Sequence, residues 1–237
     1  MGRAHEVRAA SMAKTAAKKS AANGRAAKEI YMAAKQGGTD PNSNLALRSV
    51  IDKAKANQIP RDVIERAIKR ATGGDAENYV SNRYEGIGPS NVAILVDTLT
   101  SNVNRAAAMI REVFNKNKGN PDGKVSFLFE DVAMFAFKNK KEDEVLEALM
   151  SDEVEINDLI CEDETIIIYA PFKAYNSVKH SLDKLNIDEY LISEIRAIPI
   201  DKRIEIKDEQ TKLQLQTLLD KLDELEDVQN VYHNAEL

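Results

Sequence analysis

The chain has 237 residues, of which 43% are hydrophobic and 30% charged, and a formal net charge of −6. This composition is typical of a folded protein with two or three small domains and excludes a disordered chain. No stretch reaches the roughly 20 apolar residues of a membrane-spanning helix, and the single cysteine, Cys161, excludes an internal disulfide. With no signal-peptide pattern near the start, these features predict a cytoplasmic protein.

Residues 1–75 are predicted to form a basic helical domain of three helices. A segment rich in Ala, Lys and Arg, from about Ala9 to Lys35, favours the first helix, which Gly24 is expected to interrupt. Asp40 is expected to cap the second helix, with Pro41 in its first turn. The third helix follows Pro60 and has an apolar face of helical spacing.

The rest of the chain is predicted to form two α/β domains. Residues 131–199 follow the order βαββαβ of a ferredoxin-like unit. Residues 76–130 together with 200–237 are predicted to form a discontinuous α/β domain around this insertion, because neither piece has a sufficient core alone. A strand is expected at Val125–Phe129 by alternation. The predicted fold class is therefore a three-helix bundle followed by two α/β domains, one inserted in the other.

The predicted head carries an excess of positive charge. Residues 1–70 contain 15 basic and 6 acidic side chains, whereas residues 71–237 contain 18 basic and 33 acidic ones. The net charges of the two parts are +9 and −15. This asymmetry predicts a basic head that contacts a polyanion, and an acidic remainder that repels the same polyanion.

Five cations of the first predicted helix share one face. At about 100° per residue, Lys14, Lys18, Arg25, Lys28 and Lys35 fall within an arc of about 100°, opposite the apolar residues. Like charges placed this way weaken a helix, and a phosphate partner would relieve the repulsion while releasing its condensed counterions. The pattern therefore favours a nucleic-acid-binding face.

Further basic residues extend this predicted surface. The candidates for nucleic-acid binding are Lys14, Lys18, Lys19, Arg25, Lys28, Lys35, Arg48, Lys53, Lys55, Arg66, Lys69 and Arg70. Lys and Arg contact phosphate regardless of base sequence, so sequence readout is not indicated, and without Trp base stacking is a minor expectation. Two alternatives remain open: a surface that is solvated or docks on the acidic domains of the same chain, and one that binds an acidic protein. An anionic membrane is disfavoured because the helix lacks large apolar residues.

No catalytic or metal-binding constellation is recognised. His5, His180 and His233 are far apart and lie at no metal-ligand spacing. Gly86 and Gly88 precede a predicted strand, whereas a phosphate-binding loop follows a strand and opens a helix. Acidic runs such as residues 224–227 are expected to be solvated. We therefore predict no enzymatic activity, no cofactor and no metal.

Six stretches of the sequence, in their order and spacing, resemble the YebC/PmpR family. They are residues 37–48 (GGTDPNSNLALR), 51–57 (IDKAKAN), 59–70 (IPRDVIERAIKR), 83–89 (RYEGIGP), 99–105 (LTSNVNR) and 227–232 (DVQNVY). The family is described as transcriptional regulators, and its mitochondrial relatives activate translation. The resemblance implies a helical head and two α/β domains, one of them ferredoxin-like and inserted in the other.

Three functions are compatible with these features. The resemblance favours a DNA-binding transcriptional regulator whose helical head binds the phosphate groups of DNA. A translation factor that binds the ribosome would use the same cations on ribosomal RNA, and a protein-interaction adaptor would dock an acidic partner on them. The predicted partners are DNA or ribosomal RNA, together with proteins of the transcription or translation machinery, and no membrane.

Overall fold

The computed structural model describes residues 2–73, 78–187, 190–201 and 203–236, with side chains from residue 18 onward. Within these ranges the helices are α1 (Gly2–Gly37), α2 (Leu45–Ala56), α3 (Arg61–Ala71), α4 (Val103–Lys116), α5 (Glu142–Ser151), α6 (Tyr175–Lys184) and α7 (Glu209–Asp223). The strands are β1 (Val80–Ile87), β2 (Ala93–Thr100), β3 (Phe129–Lys138), β4 (Asp158–Glu162), β5 (Thr165–Pro171), β6 (Tyr190–Pro199), β7 (Ile204–Glu205), β8 (Val228–His233) and β9 (Ala235–Glu236).

Helices α1, α2 and α3 pack as a bundle, which we call the head, around a core of their own. Apolar residues at helical spacing on each helix, together with Ile59 from the connection between α2 and α3, meet in its centre: Ile30, Ala34, Leu47, Ile51, Ala54, Ile59, Ile64 and Ala67. The cluster contains no residue of the later domains, so the head has its own apolar core. The predicted three-helix head is confirmed.

Two predicted details of the head are wrong. Helix α1 runs through Gly24 without interruption, because one glycine among good helix formers costs only about 1 kcal/mol. Helix α2 begins at Leu45 instead of Pro41, and its N-cap is Asn44, whose side chain accepts a hydrogen bond from the Leu47 N–H at 3.0 Å. Asp40 instead closes a turn, where its carboxylate accepts the Asn42 N–H at 3.0 Å.

The second unit, which we call the outer unit, contains an antiparallel sheet of strand order β1-β2-β8. Helices α4 and α7 cover one face of it, and their side chains meet those of the sheet in a core of Val92, Ile94, Val96, Ile110, Phe114, Leu215, Leu218, Leu219, Leu222, Val228 and Ala235. Strand β8 comes from the C-terminal segment, so the outer unit is built from two segments that are distant in sequence. Strands β7 and β9 form a short parallel pair beside it.

The third unit, which we call the inserted unit, is an antiparallel sheet of order β4-β5-β3-β6 covered by α5 and α6. Its core is made by Ala133, Phe135, Phe137, Val145, Leu149, Ile166, Ile168, Ala170, Val178 and Leu182. The order βαββαβ is that of the predicted ferredoxin-like unit, and its insertion in the outer unit is confirmed.

The strand predicted at Val125–Phe129 is wrong. Residues 126–128 form a single 3₁₀ turn, and β3 begins only at Phe129. The reason is a competing acceptor: the Glu85 carboxylate accepts the backbone N–H groups of Val125 and Ser126 at 2.6 and 2.7 Å. Because these donors are engaged, they are unavailable to a strand partner.

Candidate nucleic-acid interface

The contacts of the predicted cations divide them into three groups. Three residues of α1 contact acidic residues of the C-terminal segment: Lys18, Arg25 and Lys28. Three contact other parts of the head, the segment before β1 or the inserted unit: Lys35, Lys53 and Arg70. The other five are exposed and make no ion pair or side-chain hydrogen bond outside their own helix among the described residues. We call them the outer set: Lys19, Arg48, Lys55, Arg66 and Lys69. Lys14 lies in α1, but its side chain is outside the described residues.

Three ion pairs, which we call the clasp, hold α1 against the C-terminal end of α7 and the residues that follow it. They are Lys18–Asp220 at 3.2 Å, Arg25–Asp223 at 2.9 Å and Lys28–Asp227 at 2.8 Å. The pairs occur in the same order along both segments, so the two run side by side in the same direction. The expectation that the cations of this face point into solvent is wrong for Arg25 and Lys28, whereas Lys18 stays exposed. All three dock on acids of the same chain, an alternative that the sequence analysis left open.

Asp227 connects three elements at the end of the clasp. It is 6% exposed, and its two carboxylate oxygens accept hydrogen bonds from Lys28 and from Arg105 of α4, each at 2.8 Å. Burial by itself raises the pKa of Asp227, but the bonds from Lys28 and Arg105 outweigh it, so the pKa lies below its ordinary value. The expectation that the whole run 224–227 is solvated is wrong for this residue.

Lys53 and Ser49 connect α2 with the inserted unit. The Lys53 ammonium lies 2.9 Å from a Glu194 carboxylate oxygen and 3.4 Å from one of Glu29. Burial by itself lowers the pKa of Lys53, but the two carboxylates outweigh it and raise the pKa. The hydroxyl groups of Ser49 and Tyr175 are 2.7 Å apart. Lys53 therefore contributes to docking of the head and is only partly accessible.

Lys35 and Arg70 lie against a pair of tyrosines where the head joins β1. The Arg70 guanidinium lies 5.3 Å from the ring centroid of Tyr31, and the Lys35 ammonium 5.6 Å from the same centroid. The edge of one tyrosine faces the other, with the ring centroids of Tyr31 and Tyr79 5.8 Å apart. Because Tyr31 is 2% exposed, its ring is occupied by these contacts and presents no face for a base to stack on.

The outer set supplies part of the exposed positive charge of the head. Its members come from three helices: Lys19 from α1, Arg48 and Lys55 from α2, and Arg66 and Lys69 from α3. Two of them pair with acids of their own helix, Arg66 with Asp62 at 2.7 Å and Lys55 with Asp52 at 3.5 Å. Exposed pairs of this kind are worth at most about 1 kcal/mol, so a phosphate can replace the carboxylate at little cost.

A cleft of about 920 Å³ lies between α2 and the inserted unit, beside the contacts of Ser49 and Lys53. Two members of the outer set, Arg48 and Lys55, line its head side, and Lys179 of α6 lines the opposite side. The Lys179 ammonium lies 4.3 Å from the ring centroid of Tyr190 and hydrogen bonds Asp183. The sequence prediction missed Lys179, because its helix lies more than 100 residues after the head in the chain.

The acidic half of the clasp was also missed. Asp220, Asp223 and Asp227 follow one another at intervals of three and four residues, which places carboxylates on one side of a helix and its continuation. This spacing was the available signal in the sequence. It did not reveal a partner, because a row of acids on a helix is ordinarily solvated.

The described residues contain no group of three or more His, Cys, Asp or Glu side chains positioned to hold a metal ion. In the same part of the chain, each helix is too short or too polar to cross a membrane.

Comparison with known proteins places the chain in a family. Residues 3–74 match the family model described as "TACO1/YebC protein N-terminal domain". Residues 79–235 match the model described as "TACO1/YebC second and third domain". The two matched segments meet close to the boundary between the head and β1.

Similar proteins cover the whole chain. A protein of Mycoplasma capricolum subsp. capricolum named "Probable transcriptional regulatory protein" is 98% identical over 237 residues, covering 100% of both chains. A protein of Mesoplasma florum with the same descriptive name is 76% identical over 235 residues, covering 99% of each. The crystal structure of a conserved hypothetical protein from Aquifex aeolicus is 35% identical, with a TM-score of 0.72 over 90% of this chain and 88% of that one. The chain therefore belongs to the TACO1/YebC family.

Proposed function

We propose that this protein is a nucleic-acid-binding regulator of gene expression that acts in the cytoplasm and catalyses no reaction. The outer set would contact the phosphates. The observation that supports this most is the exposure of five cations, from three helices, on a segment of net charge +9. The remainder of the chain, at −15, would repel a polyanion and so restrict contact to the head.

The first candidate is a DNA-binding transcriptional regulator. The names of the Mycoplasma and Mesoplasma relatives support it. In this proposal the outer set contacts the phosphates of a duplex, and the acidic units face away from the DNA toward protein partners such as the polymerase. Contacts of Lys and Arg with phosphate position a protein on nucleic acid without reading bases.

The second candidate is a translation factor that binds ribosomal RNA. It is favoured by the position of Lys179 across the cleft from Arg48 and Lys55, which places cations of two units on one concave surface. The same surface carries the carboxylates of Asp183 and Asp52, the partners of Lys179 and Lys55. A folded RNA segment could enter such a surface more readily than a straight duplex, because RNA is recognised largely through its shape and its exposed single strands.

The proposal is tested by the triple variant Arg48→Glu, Arg66→Glu and Lys69→Glu. Fluorescence anisotropy would measure its binding to a labelled 20-bp duplex and to a labelled ribosomal RNA hairpin between 50 and 300 mM KCl. We expect affinity to fall about 100-fold or more, and the log–log salt slope to become shallower by about 2.7 for the duplex, since each phosphate contact contributes about 0.9.

A charge-matched control is available on the outer unit. The variant Lys116→Glu, Lys118→Glu and Lys207→Glu changes the net charge equally, outside the head. We expect it to retain most of the binding. Equal losses in the two triple variants would show that net charge alone decides binding, which would contradict a role for the outer set.

DNA and the ribosome are distinguished by sedimenting the tagged protein from a lysate with and without DNase. Migration with ribosomal particles that resists DNase and is lost at high salt would favour the second candidate. Migration at the top of the gradient, with DNase-sensitive DNA fragments recovered on the tag, would favour the first.

A further inference from the structure

The clasp joins two units that are each stabilised by a core of their own. On the α7 side, Leu215, Leu218 and Leu222 are buried against α4 and the β1-β2-β8 sheet. On the α1 side, Ile30 and Ala34 are buried against α2 and α3. From residue 18 onward, the hydrogen bonds found between α1 and α7 with the residues just after it run from charged side chains of α1 to carboxylate and carbonyl oxygens. Separating α1 from α7 would therefore expose neither of these two cores.

The first two pairs of the clasp are open to solvent and to competing ions. The side chains of Lys18 and Asp220 are 45% and 25% exposed, and those of Arg25 and Asp223 are 18% and 45% exposed. Pairs at this exposure are weakened by salt and exchange with other ions. By contrast, the Lys28–Asp227 pair is buried, with 9% and 7% exposure, and is the fixed end of the clasp.

Arg25 is incompletely satisfied by its acidic partner. Its two terminal guanidinium nitrogens donate to the carboxylate and to the backbone carbonyl of Asp223, but its Nε–H is buried without a hydrogen-bond partner. A guanidinium presents its donors as a planar fork that suits an anion with several oxygen atoms, such as a phosphate. The buried donor thus indicates that the carboxylate occupies this site without meeting all of its hydrogen-bonding capacity.

We propose that Lys18 and Arg25 form a second, latent phosphate-binding face, which Asp220 and Asp223 cover in the free protein and which the phosphate backbone of a nucleic acid uncovers. The carboxylates occupy the positions that phosphates take in the complex. The proposal rests on the proposed function, since it concerns the same polyanion. It adds that the outer set makes the first contact and that α1 then adds two phosphate contacts.

The test removes the covering charges while leaving the cations intact. The variant Asp220→Asn and Asp223→Asn should bind the same duplex or hairpin at least about tenfold more tightly than the unchanged protein at 150 mM KCl. The salt slopes of the two proteins for the duplex should be similar, because the same phosphates are neutralised in both complexes, whereas removing Lys18 and Arg25 should make the slope shallower by about 1.8. Adding Lys18→Ala and Arg25→Ala to this variant should abolish the gain.

The matched control carries the same charge change on the inserted unit. Asp143→Asn and Asp163→Asn alter two exposed acids, and none of the hydrogen bonds or ion pairs found for either one involves the head. A gain equal to that of the α7 variant would mean that reduced repulsion explains the effect, and it would overturn the proposal. Thermal unfolding of each variant would show that all of them are folded.

The outcomes separate this inference from the proposed function. If the outer-set variant loses binding while the α7 variant gains none, the latent face is refuted and the proposed function stands. Two results together would support the latent face and refute the outer set. In that case the α7 variant gains binding, Lys18→Ala and Arg25→Ala remove this gain, and the outer-set variant binds as tightly as the unchanged protein. If no form binds either nucleic acid, both are overturned.

Discussion

At the scale of single residues, Asp227 has the largest expected effect on stability. Replacing it by Asn leaves Lys28 and Arg105 without their counter-charge, and the Lys28 side chain is only 9% exposed. Breaking a buried pair from one side typically costs 3–5 kcal/mol, and because Asn retains some hydrogen bonding we expect about 3 kcal/mol. Urea unfolding at pH 7, followed by circular dichroism, would measure this loss.

The neighbouring residue provides the control for this variant. Glu226 is exposed, and Lys28 contacts its backbone carbonyl at 3.1 Å instead of its carboxylate. Glu226→Gln should therefore change the free energy of unfolding by less than about 0.5 kcal/mol. Similar losses in Asp227→Asn and Glu226→Gln would show that the buried ion pairs are not the cause.

The same residue also predicts a dependence on pH. The pKa of Asp227 is lowered in the folded state, because the bonds from Lys28 and Arg105 outweigh the effect of burial. A carboxylate of this kind stabilises the fold above its unfolded pKa of about 3.9, and this stabilisation is lost as the pH falls through the folded pKa. The difference in stability between the unchanged protein and Asp227→Asn should thus be constant from pH 8 to about pH 5 and should shrink below about pH 4.

At the scale of elements, helices and strands could be predicted where the spacing of apolar residues determines them. The residues at which these elements begin and end were harder to predict. The spacing of apolar residues in α3 predicts its buried face, which contains Ile64 and Ala67. The start of α2 was misplaced because Asp40-Pro41 and Asn44 are both good capping sequences, and the choice depends on packing: the Asn44 amide also donates to the Ala33 and Gly38 carbonyls at 2.8 and 2.7 Å. Only the folded head brings those acceptors to it.

Two glycines in different elements should respond oppositely to replacement by alanine. Gly24 lies inside α1, and a Cβ there would meet no atom within 4 Å, so Gly24→Ala should stabilise the protein by about 0.5–1 kcal/mol. A Cβ at Gly86 in β1 would lie 2.5 Å from the buried Phe114 ring, so Gly86→Ala should destabilise by about 2 kcal/mol. Thermal unfolding of both would test this, and a destabilised Gly24→Ala would contradict the continuity of α1.

At the scale of the whole molecule, the sequence shows that basic and acidic residues are segregated, but it does not show which of the cations pair with acids of the same chain. Composition alone separates a basic head from acidic units. The clasp joins residues about 200 positions apart, such as Lys18 and Asp220, and no local pattern specifies which acids a cation will meet across that distance. The structure consequently divides the predicted cations into residues of α1 that are paired with acids of the C-terminal segment and an outer set on all three helices of the head.

The inserted unit should fold before strands β2 and β8 pair, because the two ends of its segment lie side by side and it can form without the rest of the chain. Phe129 at the start of β3 and Pro199 at the end of β6 are direct partners, and the Ile200 N–H donates to the Leu128 carbonyl at 3.0 Å. In pulse-labelling hydrogen exchange during refolding, the amides of β3 and β5 should become protected before those that join β2 and β8. Earlier protection of β8 would contradict this order.

Once folded, the inserted unit holds the two ends of its own segment side by side. The chain between β2 and β8 then closes as a loop of roughly half its length, which lowers the entropic cost of joining them by about 0.6 kcal/mol. The insertion thus shortens the search that β2 must make for its partner strand β8.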